Sequence, residues 1–106
     1  MLWRYAGRRR TRVLKPRDPI PAIVRDHVRA RDRGCVFGRL GIAHDCFGRL
    51  EIDHVRASGG LGIRSRGTPD NLVLLCPTAH LEKTLHGRRW RPVLLAWIDR
   101  AEREAE

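Results

Sequence analysis

Asp53-His54, Asn71 and His80 stand out because their side chains complement one another chemically. A neutral imidazole can take a proton from water near neutral pH, so His54 is a candidate general base. Asp53 offers an oxygen ligand and His80 a nitrogen ligand to a divalent ion. Such an ion can hold a phosphate and stabilise a departing oxygen. Asn71 cannot act as a base, but its amide can bridge backbone groups or orient a neighbouring imidazole. Lys83 lies one turn beyond His80 on the same helix face, within reach of a phosphate.

Short elements must position these groups. Leu50 to Val55 reads as a strand, and Leu72 to Leu75 as a second one. Between them, residues 56–70 contain Ser58-Gly59-Gly60, Gly62, Gly67 and Pro69, which is loop composition. Cys76-Pro77 breaks the second strand. Thr78 can then cap a helix running to about His86, with Gly87 as its end. A last helix is expected from Pro92, using Val93, Leu94, Trp97, Ile98 and Ala101, with Trp90 and Trp97 packing it on the core. Upstream, Asp18-Pro19-Ile20-Pro21 marks a boundary. Ile20, Ile23, Val24, His27 and Val28 follow helical spacing, with Pro21 at the first position and Gly34 as the stop. His27 falls on that apolar stripe and reads as a packed residue. The order helix, strand, loop, strand, helix, helix is α+β. Neighbouring residues on a regular strand point to opposite faces. Asp53 and His54 can share one ion only if the strand ends or bends at Asp53.

Taken together and in order, Asp53-His54, Gly59-Gly60, Asn71-Leu72 and Cys76-x-x-x-His80 form a pattern, and Lys83-Thr84 extends it. It resembles the HNH nucleases over roughly residues 31–87. Four dispersed elements agree, which makes the resemblance specific. It implies a small ββα-metal (His-Me finger) core flanked by an N-terminal and a C-terminal helix. It also implies metal-dependent hydrolysis of DNA phosphodiester bonds. In that scheme His54 activates water, Asp53 and His80 hold the catalytic ion, and Asn71 and Lys83 assist. Mixed Asp and His ligation admits Mg²⁺, Mn²⁺, Ni²⁺ or Zn²⁺. Relatives of this size imply a phage or prophage source, the cytoplasm of a bacterial host, and a packaging or restriction-like role. Terminase or other packaging proteins would then be partners, by family analogy alone.

Many such proteins carry a second, structural metal held by two cysteine pairs. Here Cys35 and Cys46 flank residues 38–45 and Cys76 precedes the helix, but the usual fourth position is Ala79. A tetrahedral Zn²⁺ wants four ligands. His44 is the nearest spare candidate. His86 and His80 are others, and three cysteines packed as small apolar residues is the remaining possibility.

The charge balance bounds the partners. The chain of 106 residues holds 22 Lys plus Arg against 12 Asp plus Glu, a net charge of +10. A single domain with that excess suits a polyanion, and its Arg bias suits phosphate. Residues 1–17 carry Arg4, Arg8, Arg9, Arg10, Arg12, Lys15 and Arg17 and no acid. They read as a flexible basic arm along DNA phosphates, with Arg8, Arg9, Arg10 and Arg12 at its centre, ahead of one domain at 18–106. Trp3 and Tyr5 in this arm could stack on bases or anchor a partner. No stretch approaches the ~20 apolar residues of a membrane span, and the N-terminus has no apolar signal core, so the expected location is cytoplasmic. No small-molecule cofactor is expected. The main alternative is a non-catalytic, zinc-containing nucleic-acid-binding module, which would share the charge and the cysteines without needing Asp53, His54 and Asn71 together. A ribosomal or nucleoid-like basic protein and a bacteriocin-type nuclease are the further alternatives.

Overall fold

The computed structural model describes residues 20–56 and 66–105. The basic arm with Arg8, Arg9, Arg10 and Arg12, and the Gly59-Gly60 pair, lie outside the described residues. The fold is α+β: helices around a two-stranded antiparallel sheet. In chain order the elements are α1 (Ala22–Asp32), the short α2 (Val36–Arg39), β1 (Glu51–His54), a 3-10 turn (Pro69–Asn71), β2 (Leu72–Leu75), α3 (Pro77–Leu85) and α4 (Gly87–Ala105).

The register pairs Glu51 with Leu75, Ile52 with Leu74, Asp53 with Val73 and His54 with Leu72. Side chains alternate across the sheet, and the two cores follow that alternation. Val73 and Leu75 join Val36, Phe37, Val55, Trp90, Leu94 and Trp97 on the α3 and α4 side. Leu72 and Leu74 join Val28 on the α1 side, with Ile20, Val24 and Ile52 packed around them. β2 is therefore buried on both faces, which is why Leu72-Val-Leu-Leu75 is an unbroken apolar run.

Among the described residues β2 has no second strand beside it, so its outer edge needs partners. Adjacent side chains at the end of α1 supply them. Arg31 donates to Leu72 O at 2.5 Å, and Leu74 N donates to Asp32 Oδ2 at 2.9 Å. Arg31 also donates to Pro69 O at 2.8 Å, which ties α1 to the turn before β2. Trp97 Nε1 donates to Asp32 Oδ1 at 2.9 Å and locks α4 onto the same point. Burial opposes the charge on Arg31, but hydrogen bonds and attraction from Asp32 and Glu102 outweigh it and raise the guanidinium above its ordinary pKa.

Several boundaries differ from the sequence expectation, each for a local reason. Pro21 is the cap of α1 and not its first residue. The helix stops at Asp32, before Gly34, because Arg33 already turns left-handed (φ 55°). His27 is not packed: it is exposed and pairs with Glu102 at 2.7 Å, while Ile23, on the expected stripe, faces solvent. α3 is capped by Cys76 and not by Thr78, its Sγ accepting from Ala79 N at 3.4 Å. Gly87 begins α4 and does not end α3. The amides of Arg89 and Trp90 bond back to His86 O, and buried Trp90 anchors that turn, so the helix is under way before Pro92.

Candidate functional site

β1 and α3 bring one polar cluster together. Asp53 and Glu51 share the β1 face toward α3. Asp53 Oδ1 lies 3.0 Å from His80 Nε2, and Glu51 Oε1 lies 2.6 Å from His80 Nδ1. His80 is thus held between two carboxylates, with its ring 35% exposed. Asp53 is buried. Its Oδ2 faces Lys83 Nζ at 2.9 Å but accepts no well-formed hydrogen bond.

Lys83 differs from its expected phosphate contact. Its ammonium is buried and turned inward, donating to His54 O at 2.6 Å beside Asp53. The reason is geometric: Lys83 lies one turn along α3 from His80, on the face against β1, so its stem runs into the sheet and not out to solvent. It braces the end of β1.

β1 does not end or bend at Asp53. The ladder continues through the His54–Leu72 pair and ends there. Asp53 therefore faces α3, while His54 falls on the opposite face and is half-buried.

Asn71 does what its amide permits. Oδ1 accepts from Arg56 N at 2.9 Å, and Nδ2 donates to Arg56 O at 3.1 Å and Arg66 O at 2.9 Å. Arg56 and Arg66 flank residues 57–65, so one buried side chain pins the backbone at both ends of that segment. Val55 N donates to Asn71 O at 2.8 Å, extending the hold to the residue after His54.

A second cluster lies on the other side of Cys76. Ligand atoms of Cys35, His44, Cys46 and Cys76 all lie within 4.8 Å of one another, so these four residues could hold a metal ion. Of the fourth ligands open from the sequence, His44 is the one the fold brings in. Its Nε2 is 3.6 Å from Cys35 Sγ, while Nδ1 lies 2.7 Å from Ile42 O. An Nδ1–H bonded to that carbonyl leaves Nε2 as the ligand nitrogen. The backbone amide of Cys76 points at Cys35 Sγ at 3.4 Å. Desolvation and hydrogen bonding to Cys76 push Cys46 up to about 11. Against a desolvation that raises it, the amides of Ala79 and Phe47 and the neighbouring thiols bring Cys76 down to about 7. The amides of Ala79 and Phe47 favour a thiolate at Cys76, while the crowding of the sulfurs disfavours a second negative charge at Cys46 unless a cation joins them. The Cys3His donor set suits Zn²⁺.

Sequence reasoning missed Glu51, Arg31 and Asp32. Glu51 did carry a signal, since it stands two residues before Asp53 on the same strand face. Among the described residues no helix is long and apolar enough to cross a membrane. Compared with known proteins, the chain matches no family model, no curated protein and no solved structure.

Proposed function

We propose that the protein is a metal-dependent DNA endonuclease of the HNH type, with a ββα-metal core formed by β1, β2 and α3. The observation that carries this reading is the convergence of Asp53 Oδ1 and His80 Nε2, 3.0 Å apart, beside a buried Asp53 oxygen with no well-formed hydrogen bond. A buried carboxylate whose Oδ1 meets a histidine nitrogen, while its Oδ2 lies 2.9 Å from Lys83 Nζ without a well-formed hydrogen bond, offers an oxygen and a nitrogen donor to a cation at Oδ1 and Nε2. A divalent ion held by Asp53 and His80 would supply charge neutralisation at the phosphate and at the leaving oxygen.

The chain's own residues supply the rest. His54 takes the proton of the attacking water. It lies on the opposite face of β1 from Asp53, so it is not a ligand of the same ion, and its part in the reaction is what His54→Ala tests. Lys83 braces the His54 carbonyl and Asp53, and Asn71 sets the backbone after His54. Cys35, His44, Cys46 and Cys76 would hold a structural Zn²⁺ that fastens the 35–46 segment to the start of α3. The net charge of +10 supplies non-specific attraction to the DNA backbone.

The same Cys3His cluster favours a second reading, a zinc-stabilised nucleic-acid-binding module without catalysis. Plasmid cleavage separates the two. With Mg²⁺, Mn²⁺, Ni²⁺ or Zn²⁺ added, the wild type is expected to nick DNA, EDTA to stop it, and His54→Ala to lower the rate about 10²–10⁴-fold. DNA binding without cleavage under any metal would establish the module instead.

A further inference from the structure

Glu51 has no part in the reading above, yet it makes a closer contact with His80 than Asp53 does. Its Oε1 lies 2.6 Å from His80 Nδ1, on the far side of the ring from Asp53. Two carboxylates spaced i, i+2 on β1 therefore grip one imidazole on the facing helix, one at each nitrogen. A histidine that binds a cation through one nitrogen generally donates its other N–H to a carboxylate or a carbonyl. That bond fixes the tautomer and strengthens the ligand nitrogen.

We infer that Glu51 is a positioning residue: it accepts the Nδ1–H of His80 and so presents the Nε2 lone pair, beside Asp53, to a divalent cation. The inference rests on the proposed cation site, but not on cleavage. Glu51 itself is half-exposed and separated from Asp53 by the imidazole, so it acts through His80 and not as a ligand. His44 repeats the arrangement in the second cluster, with Ile42 O in the place of Glu51.

The test is Mn²⁺ titration, followed by electron paramagnetic resonance, of full-length protein whose cysteine cluster has been filled with Zn²⁺. Thiolates take Zn²⁺, while Mn²⁺ prefers oxygen and nitrogen donors. Wild type, Glu51→Gln and Glu51→Ala are compared. Glu51→Ala is expected to weaken Mn²⁺ binding about 10–100-fold. Glu51→Gln, still able to accept from Nδ1–H, is expected to fall between, with unchanged circular dichroism in all three. In Zn²⁺-saturated wild type, ¹⁵N shifts of the His80 ring should place the proton on Nδ1. Equal affinities, a metal-bound Nδ1, or no Mn²⁺ binding by the wild type would each overturn the inference. If the affinities and tautomer behave as expected but no DNA is cut, the nuclease reading fails and the role of Glu51 stands.

Discussion

On the outer edge of β2, the side chains of Arg31 and Asp32 are 2% and 0% exposed, and both Asp32 oxygens have two donors each. On the α3 side of β1, His80 is 35% exposed, and one oxygen of buried Asp53 accepts no well-formed hydrogen bond. Both regions place charged side chains against the same hairpin. The first completes the backbone hydrogen bonding along the edge of β2 that no described strand covers. The second leaves Asp53 Oδ2 with the Lys83 ammonium 2.9 Å away but no well-formed hydrogen bond. Full satisfaction marks structure, and the incomplete set beside a partly exposed histidine is what the proposed cation site rests on.

The contrast is broken most directly by substitution on its two sides. Asp32→Ala removes one partner of a buried pair and leaves the Arg31 guanidinium and Leu74 N short of an acceptor. It should cost about 3–5 kcal/mol in urea unfolding. His80→Ala, by contrast, removes a partly exposed ring and leaves buried Asp53 its Lys83 partner, so it should cost under about 1 kcal/mol while abolishing cation binding at Asp53. Equal stability losses would erase the distinction.

Metal removal sharpens it next. Chelation should lower the thermal midpoint of the wild type, because the Cys3His cluster fastens the loop between α2 and β1 to α3. In Cys76→Ala the midpoint should start low and respond little to chelator. A wild type indifferent to chelation would make the three cysteines simple packing residues.

The smallest expected effect concerns acid. Burial raises the Glu102 carboxyl, but hydrogen bonds from Arg31 and His27 outweigh it and hold the pKa below the usual carboxylate range. A group whose folded pKa is depressed adds stability above its unfolded pKa and loses it as pH falls through the folded value. Glu102→Gln should therefore lower stability near neutrality slightly and flatten its decline below about pH 4, where free glutamate protonates. An unchanged acid limb would show that Glu102 adds nothing to the Arg31 network.

Much of this was legible in the chain. Two short apolar runs separated by a glycine-bearing segment specify the hairpin, because a strand needs little beyond local pattern and a turn. Cys76-Pro77 specifies the break into α3, since proline cannot donate to a ladder but starts a helix well. Asp53, His54, Asn71 and His80 are set by spacing along those elements, and the Cys35, Cys46 and Cys76 positions limit where a fourth ligand can lie. The start of α4 was misread because proline is a strong local signal, and only the burial of Trp90 against Phe37 outweighs it.

What only the tertiary structure decided are the partnerships between elements. Arg31-Asp32 in a charged helix reads as solvated surface until the unpaired edge of β2 is laid beside it. Lys83 reads as a free cation until α3 packs on β1 and turns it inward. Glu51 reads as the polar face of a strand until His80 arrives 2.6 Å away. His44 was one of several candidates until the segment from Gly41 to Cys46 folded back onto Cys35. Sequence pattern specifies the period and ends of each element, because these depend on neighbours in the chain. The partner of a charged side chain depends on which elements pack together, and local sequence carries no record of that.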